Sequence, residues 1–318
     1  MKNKPFLPCF LTILLSSCSV NANNIESKIF CFDTYIDIRL FEGTKAYGSD
    51  IINIMKKYDE LTDNYRARDV NNVYTINHTN EQVQIDRGLW TLLHNSEAVQ
   101  TMGAYNFDPF CGSLAKLWKA TLENNQVLDN ETIVSELAKK NASSMELMDL
   151  EYVTRVGEAE IDLGGIAKGY ALDIAKQYLE SKEITKYIID AGSSSILLGE
   201  KDTKDGLFNV GLKDIKNAYF KAKNCFVSTS GTSEQLTMID GIKYSHIINP
   251  ITGSAVSLHD SVIVLTDSGY YGDALSTSMM MNTIDEIKEI ENNHNVKAIV
   301  IDDGEISYSN SGIEVFYH

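Results

Sequence analysis

The pattern of hydrophobic and polar positions predicts helices that alternate with short strands along most of the chain. Apolar residues that recur at helical spacing predict the helices, and stretches rich in β-branched and aromatic residues predict the strands. The predicted helices cover residues 50–61, 89–101 and 131–141, a stretch from Gly164 to about Lys182, and a segment that opens at Gly272. The predicted strands cover residues 30–41, 81–85, 152–162, 186–190, 196–198, 208–212, 223–228, 261–266, 296–301 and 314–317.

The N-terminus has the pattern of an export signal. A short basic region precedes a largely apolar stretch from Pro5 to Leu15, which at about 1.5 Å per residue is too short to span roughly 30 Å of hydrocarbon as a helix. It therefore predicts a signal peptide that is removed. The sequence Leu15-Ser16-Ser17-Cys18 resembles a bacterial lipobox, in which the cysteine is acylated. The alternative is a plain secretory signal with a chance cysteine.

These features predict three segments in the chain. We expect a lipoprotein signal peptide at 1–17, a lipidated tether at 18–28 and one folded domain at 29–318. Each buried methylene of an acyl chain contributes about 0.8 kcal/mol to membrane binding, so two or three chains anchor a protein firmly. The expected location is therefore the extracytoplasmic side of a bacterial inner or cell membrane, with the protein held there by lipid on Cys18.

Composition narrows the possible partners. The formal net charge of −16 argues against nucleic acid or an anionic membrane as the partner surface. The cysteines beyond the signal region, Cys31, Cys111 and Cys225, show no CxxC pair and no zinc spacing. We therefore expect buried thiols, without a disulfide framework or a cysteine metal site.

The stretch DLGGIAKGYALD, residues 162–173, is the first candidate for chemistry. Two glycines allow a tight turn and a close approach of the backbone to a ligand. A helix that starts there directs N–H groups and its positive dipole end at the turn. Lys168 lies in that first turn, where a cation interacts unfavourably with the positive end of the helix dipole. An anionic ligand would explain the lysine, but an ordinary strand-to-helix turn with a solvated lysine fits the same pattern.

Two acidic positions allow both a ligand and a capping interpretation. Asp108 precedes Pro109, which disfavours helical backbone at Asp108 and leaves its carboxylate available for a ligand or for a helix cap. Asp273 and Thr277 are four residues apart, so they share one face of the predicted helix. Carboxylate, hydroxyl and carbonyl oxygens are ligands that magnesium accepts. An N-cap aspartate with an incidental threonine is the alternative.

Seven segments in this order resemble the ApbE family, the FAD:protein FMN transferases, from about Thr34 to the C-terminus. They are TDNYRARDVNNVYTIN (62–77), GAYNFDPFCGSLAKLW (103–118), DLGGIAKGYALD (162–173), DAGSSSILLGE (190–200), VSTSGTSEQ (227–235), SHIINPITG (245–253) and DALSTSMM (273–280). The resemblance implies an α+β fold with mixed or mostly antiparallel sheets, packed helices and a FAD cleft between two subregions.

The resemblance also implies roles for individual residues. Asp162 and Lys168 match FAD contacts, and the Mg²⁺ ligands would be Asp273, Thr277 and the carbonyl of Gly165. Further positions match residues that line the flavin or adenosine part, namely Tyr65, Asn106, Phe107, Asp108, Ile247 and Ser276. Phe32 stands at a flavin contact, within Phe32-Asp33-Thr34 where the family often has Met-Gly-Thr. Two further departures are Thr232 and Asn249, where many relatives have aspartate.

The implied reaction is attack by a threonine hydroxyl of an exported acceptor flavoprotein on the pyrophosphate of FAD. FMN is then esterified to the acceptor and AMP leaves. His246 is the candidate base, since an imidazole with an ordinary pKa of about 6.5 suits that step near neutral pH; a structural histidine beside a turn is the alternative. Two other functions are considered, an FAD pyrophosphatase with water as acceptor and a non-catalytic flavin-binding lipoprotein.

Overall fold

The computed structural model describes residues 24–234, 236–255 and 257–317. The helices are α1 (Lys45–Thr62), α2 (Val73–Asn77), α3 (Arg87–Thr101), α4 (Gly112–Glu123), α5 (Asn130–Asn141), α6 (Ala167–Ser181), α7 (Gly269–Met279) and α8 (Ile284–His294). The first eight strands are β1 (Ile25–Cys31), β2 (Thr34–Leu40), β3 (Val83–Gln84), β4 (Ser144–Met148), β5 (Tyr152–Val156), β6 (Tyr187–Ala191), β7 (Ser195–Leu198) and β8 (Phe208–Gly211). The others are β9 (Ala218–Ala222), β10 (Cys225–Gly231), β11 (Thr237–Ile239), β12 (Ile242–Tyr244), β13 (Ser261–Thr266), β14 (Lys297–Asp302), β15 (Glu305–Ser309) and β16 (Val315–Tyr317).

An eight-stranded sheet in the order β1-β2-β6-β7-β10-β13-β14-β15 forms the centre of the fold. Neighbouring strands in it pair antiparallel. Its two faces bury different cores, as the alternation along β13 shows. Val262 and Val264 join the core that includes α1, α3, α6 and α7, whereas Ile263 between them joins a second core with Phe208 and Phe220 of the sheet β16-β9-β8. The predicted α+β fold with mostly antiparallel sheets is confirmed.

A third, smaller core fixes the segment that contains His246. Trp118 of α4 stacks on Tyr244 at the end of β12 with 5.6 Å between ring centroids, and its indole N–H donates to the carbonyl of Gly253 at 2.7 Å. Leu114 and Leu122 of α4 belong to the same cluster. Both ends of the segment 244–253 are therefore held on α4.

The predicted strand 30–41 is a hairpin, so that prediction is wrong in its detail. Phe32 and Asp33 both have positive φ, 52° and 55°, which is the backbone of a two-residue turn that reverses the chain. The expected tether is also too long, because Ile25 to Lys28 lie in β1, where Ile25 pairs with Leu40. The ordered domain therefore begins before residue 29. Residues 1–17 and Cys18 lie outside the described residues.

Other boundaries also differ from the predictions. Helix α7 begins at Gly269, one turn before the expected start at Gly272, and β5 ends at Val156 instead of continuing to residue 162. Elements that the sequence pattern did not predict are α2, α8, β4, β9, β11, β12 and β15. The three described cysteines are free thiols; Cys31 is buried as expected, whereas Cys111 and Cys225 are only partly buried. None of the helices in the described ranges combines the length and the hydropathy needed to cross a bilayer.

Candidate active site

One cavity of about 230 Å³ collects most of the predicted site residues. The turn before α6, the second and third turns of α7, the loop before α4 and the segment after β12 all contribute to its wall. The predicted residues that line it are Asn106, Phe107, Asp108, Asp162, Gly165, Lys168, His246, Ile247, Asp273, Ser276 and Thr277. Phe32 and Tyr65 do not line it. The segments predicted from separate parts of the sequence therefore meet at one place.

The glycine turn brings α6 against α7. A Cβ added at Gly165 would lie 3.1 Å from the ring of Phe107 and 3.6 Å from the hydroxyl oxygen of Thr277. Only a residue without a side chain leaves this space open. Asp162 orders the turn, because its Oδ1 accepts a hydrogen bond from the N–H of Gly164 at 2.7 Å. The Asp162 side chain therefore acts within its own turn and is placed as a hydrogen-bond acceptor.

The start of α6 offers fewer backbone donors than the sequence suggested. The N–H groups of Ile166 and Ala167 both donate to the carbonyl of Leu163, at 3.0 and 2.9 Å. The N–H of Gly169 donates to Asp273 Oδ2 at 2.7 Å. Attraction of an anion to this side of the cavity therefore rests mainly on the ammonium of Lys168 and the helix dipole.

Asp273 is a buried carboxylate held by three different elements. The hydroxyl of Ser228 on β10 donates to Oδ1 at 2.6 Å, and that of Ser195 on β7 lies 2.8 Å from Oδ1 and 3.0 Å from Oδ2. Burial raises the pKa of Asp273, while the Ser228 hydrogen bond and the charge of Lys168 counteract part of that rise. The N-cap alternative is wrong, because Asp273 lies one turn inside α7 and binds groups from outside its own helix.

Helices α6 and α7 cross with their backbones in contact. A Cβ added at Gly169 would overlap the carbonyl of Gly269 and lie 2.7 Å from the nitrogen of Tyr270. Asp173 of α6 ties the helices together again, because its Oδ1 accepts from Gly269 N–H at 2.8 Å and its Oδ2 from Tyr270 N–H at 2.9 Å. This carboxylate from α6 satisfies donors at the start of α7 that would otherwise lack partners. The crossing sets the distance between Lys168 and Asp273.

The Asn106–Asp108 loop shows that capping and lining of the cavity are compatible. Asp108 Oδ1 accepts from the N–H of Phe110 at 2.9 Å, and its Oδ2 pairs with the Lys140 ammonium of α5 at 2.7 Å. Asn106 donates its backbone N–H to Ser278 Oγ of α7 at 2.9 Å. The loop is thereby fixed to both α5 and α7 while its residues face the cavity.

His246 and Ile247 line the cavity from a segment that begins in the third core at Tyr244 and enters the first core at Ile247. Ile247 is buried and donates its N–H to Ser245 Oγ at 3.2 Å, whereas His246 is exposed. The following turn is closed by Asn249, whose Oδ1 accepts from the N–H groups of Ile251 and Thr252 at 2.9 and 3.0 Å. Asparagine can therefore serve this turn where relatives have aspartate, and His246 is presented at the solvent edge of the cavity.

Phe32 and Tyr65 lie outside the cavity wall. The Phe32 N–H donates to Asp59 Oδ1 at 2.7 Å, so this residue anchors the hairpin turn to α1. Tyr65 is half exposed, with the ammonium groups of Lys116 and Lys119 at 5.0 and 5.3 Å from its ring centroid. Burial and the nearby charge of Asp162 raise the pKa of Tyr65.

The donor set suits a hard divalent cation. Within the described ranges there is no cluster of three or more His, Cys, Asp or Glu side chains of the kind that holds zinc. Where α6 meets α7, the cavity offers instead the carboxylate of Asp273, the hydroxyl of Thr277 and the backbone beside Gly165. A carboxylate accepts about four hydrogen bonds, and three groups donate to Asp273, so one acceptor position remains. Oxygen ligands of this kind, completed by substrate phosphate and water, fit Mg²⁺.

A sequence profile described as the ApbE family matches residues 32–300 of this chain. The chain belongs to the ApbE family. Among its relatives is the FAD:protein FMN transferase of Klebsiella pneumoniae (strain 342), with 28% identity over 254 residues that cover 76% of this chain and 77% of that protein. The enzyme of the same name from Treponema pallidum (strain Nichols) is 28% identical over 217 residues, which cover 62% of this chain and 60% of the relative.

Solved structures agree with the ApbE assignment. The ApbE protein of Thermotoga maritima is 26% identical and superposes with a TM-score of 0.78 over 91% of this chain and 98% of that structure. The flavin transferase ApbE from Vibrio cholerae, at 20% identity and a TM-score of 0.74 over 92% and 98%, supports the fold. The relatives are named as transferases, so the ApbE family is a family of enzymes. The expectations of an ApbE-like fold and of an enzyme are confirmed.

The cavity also contains residues that the sequence did not assign to the site. Ser194 and Ser195 come from the turn before β7 and from β7 itself, and Thr229, Ser230 and Gly231 come from β10. Both segments are rich in serine and threonine, and this composition was the sequence feature that could have indicated their place in the site. Their partners could not be derived locally, because Ser195 and Ser228 meet Asp273 only through the pairing of β7 with β10.

Proposed function

We propose that this chain transfers FMN from FAD to a threonine of an acceptor flavoprotein in a Mg²⁺-dependent reaction that releases AMP. The observation that carries the proposal is the meeting of the glycine turn with α7, where Gly165 lies beside Thr277 and Lys168 acts on Asp273. The names of the relatives, FAD:protein FMN transferases, supply the substrate class. The roles given below for single residues are those that the resemblance implies, and the shared cavity supports them.

Three groups would hold the cation, namely the carboxylate of Asp273, the hydroxyl of Thr277 and the backbone carbonyl of Gly165. When bound, Mg²⁺ supplies Lewis-acid stabilisation of the phosphoryl oxygens. Lys168, in the first turn of α6, adds a fixed positive charge on the same wall of the cavity. Together these groups favour a diphosphate at this wall over a neutral ligand.

The chemical step is a substitution at phosphorus. The threonine oxygen of the acceptor forms a bond to the phosphorus of the FMN half, the bond from that phosphorus to the bridging oxygen breaks, and AMP leaves with the bridging oxygen. His246 takes the proton of the attacking hydroxyl. Its exposed position at the edge of the cavity suits a proton acceptor that must meet a protein substrate arriving from solvent. Asp162, engaged with Gly164, orders the turn and does not act as the base.

The test is an incubation of the full chain with FAD, Mg²⁺ and a threonine-bearing flavoprotein domain. A fluorescent acceptor band with stoichiometric AMP supports the transferase, whereas free FMN with AMP and no labelled acceptor would show a pyrophosphatase instead. Asp273→Ala is expected to abolish Mg²⁺-dependent turnover. His246→Ala is expected to slow transfer while the Kd for FAD stays nearly unchanged. Tight FAD binding without AMP under any divalent metal would refute the proposal.

We further propose that lipid on Cys18 holds the enzyme at the extracytoplasmic face of a bacterial membrane. The support is the lipobox-like sequence after the apolar stretch from Pro5 to Leu15. The first strand begins at Ile25, so at most six residues separate the lipidated residue from the folded domain. Extended chain of that length spans about 20 Å. The acceptor would therefore have to lie at or near the same membrane surface.

A further inference from the structure

Three serines of the central sheet face the helix that carries both side-chain ligands of the proposed cation. Ser195 on β7 and Ser228 on β10 are direct partners in the antiparallel register. Ser230 lies two residues further along β10 and thus on the same face as Ser228. We call Ser195, Ser228 and Ser230 the serine ladder. Ser195 and Ser228 are almost fully buried, and Ser230 borders the cavity.

The spacing of the serine ladder matches the spacing of the ligands on α7. Residues two apart on a strand are separated by about 6.6 Å, and residues four apart on a helix by about 6 Å along its axis. Ser228 accordingly reaches Asp273 at 2.6 Å while Ser230 reaches Thr277 Oγ1 at 3.2 Å. Each side-chain ligand on the helix therefore has its own hydroxyl on the sheet.

Counting protons assigns a direction to the hydrogen bonds around Thr277. Ser276 Oγ donates to the carbonyl oxygen of Asp273 at 3.1 Å, which uses its single proton. Ser230 Oγ lies 2.9 Å from Ser276 Oγ and must then be the donor in that pair. Thr277 must in turn donate to Ser230. The Thr277 oxygen is left with lone pairs alone for the cavity, which makes it an acceptor toward a cation.

The same count applies to Asp273. Two ladder hydroxyls and the N–H of Gly169 occupy three of the roughly four acceptor positions of the carboxylate. A carboxylate with one free acceptor position can bind a cation in only one orientation. The ladder therefore fixes where the remaining lone pair points.

We propose that the serine ladder positions both side-chain ligands of the cation, Ser228 and Ser195 through Asp273 and Ser230 through Thr277. This inference rests on the proposed Mg²⁺-dependent function. The ladder serines are positioning residues that do not themselves bind the cation. Hydrogen-bond partners of metal ligands typically contribute a factor of 10 to 100 in metal affinity.

The experiment measures Mn²⁺ binding to the full chain by the EPR signal of free Mn²⁺, with FAD present and no acceptor. Ser230→Ala and Ser228→Ala are each expected to raise the Kd for Mn²⁺ about 10-fold or more. Ser230→Thr keeps the hydroxyl and is expected to retain wild-type affinity within a few-fold. Ser96→Ala is the matched control, since Ser96 is buried in α3 and donates only to Leu93 within that helix.

Two further measurements separate positioning from general damage. The melting temperature is expected to stay near wild type in Ser230→Ala, because Ser230 is only partly buried. The loss of Mn²⁺ affinity is expected to exceed any loss of FAD affinity measured without metal, because Ser230 acts on the cation through Thr277. Ser276→Ala provides an independent test, since it removes the acceptor of Ser230 and frees that proton to compete for Thr277. It is therefore also expected to raise the Kd for Mn²⁺.

The outcomes distinguish this proposal from the function on which it rests. If Asp273→Ala loses Mn²⁺ affinity while Ser228→Ala and Ser230→Ala keep it, the serine ladder proposal is overturned and the cation site stands. If Asp273→Ala itself binds Mn²⁺ like the wild type, the cation site in the proposed function is wrong. Parallel loss in the alanine variants with rescue by Ser230→Thr supports the proposal.

Discussion

Replacement of Gly169 by alanine tests whether the backbone contact between α6 and α7 sets the site. In an exposed helix interior, glycine to alanine usually stabilises by about 1 kcal/mol. Here the added Cβ would lie 2.7 Å from Tyr270 N and would overlap the carbonyl of Gly269. The contact with the nitrogen falls about 0.8 Å short of the roughly 3.5 Å at which non-bonded heavy atoms pack favourably, and the overlap with the carbonyl is larger. The helices must therefore separate by more than about 0.8 Å, and the expected effect changes sign.

Two terms set the magnitude of the loss. Overpacking of a tight contact typically costs about 1–3 kcal/mol. The same separation stretches the 2.7 Å hydrogen bond from Gly169 N–H to Asp273, and a hydrogen bond to a charged group contributes about 1.5–3 kcal/mol. We expect Gly169→Ala to lower the free energy of unfolding by roughly 2.5–6 kcal/mol. A displacement near 1 Å between catalytic groups is also expected to reduce the transfer rate by about 100-fold.

The assay pairs urea unfolding with Mn²⁺ titration and transfer kinetics on the same preparations. Gly211→Ala is the matched control, because a Cβ there meets nothing within 4 Å; alanine should leave stability equal or up to about 1 kcal/mol higher. If Gly169→Ala unfolds at the wild-type urea concentration and keeps wild-type Mn²⁺ affinity, the helix crossing does not set the site and the reasoning fails.

Four further outcomes follow from the same geometry. Burial raises the pKa of Asp173 to about 6, so the native state holds its proton more tightly than the unfolded chain; wild-type stability relative to Asp173→Asn should fall by roughly 3 kcal/mol as pH rises from about 4 to 6, measured by urea unfolding. Gly165→Ala should leave the melting temperature near wild type but weaken Mn²⁺ binding, since its Cβ enters the gap 3.6 Å from Thr277 Oγ1. Lys168→Gln should weaken FAD binding at low salt, and the difference from wild type should shrink at high salt. Cys18→Ala should move the protein from the membrane fraction to the soluble fraction; retention at the membrane would contradict the lipid anchor.

The sequence predicts the elements whose residues repeat with a clear period. The helical spacing of Ile51, Met55 and Tyr58 identifies α1, and these side chains are buried on one face. The apolar run 261–266 identifies β13 with its observed bounds, because a strand buried on both faces needs no polar alternation. Short edge elements such as β11 and β12 carry too few residues to show a period, and their position is decided by packing on α4.

The site was predictable as a set of segments and unpredictable as a network. Paired glycines and a carboxylate near a helix start are signals carried by residues adjacent in the sequence. The sequence alone therefore indicates Gly165 and Asp273. The start of α7 at Gly269 was missed although Ser268 stands at the N-cap position; the Ser268 side chain makes no capping hydrogen bond, and the cap is Asp173, 96 residues earlier in the sequence. No local pattern reports a cap that a different helix supplies.

The proposed cation ligands and the proposed base lie on different kinds of element. Asp273 is held by β7, β10 and α6, and Thr277 by β10, so both lie on elements fixed by the central sheet. His246 instead follows a two-stranded ribbon that packs on α4 and ends in an Asx turn. The diphosphate of FAD has one shape, which a rigid wall can match with ligands placed to within a few tenths of an ångström. Under the proposed function an acceptor protein must approach, react and leave, and His246 is exposed at the edge of the cavity where such a protein can reach it. Changes of acceptor among enzymes of this fold should therefore alter the ribbon and the segment 244–253 while the serine ladder and the helix crossing stay the same.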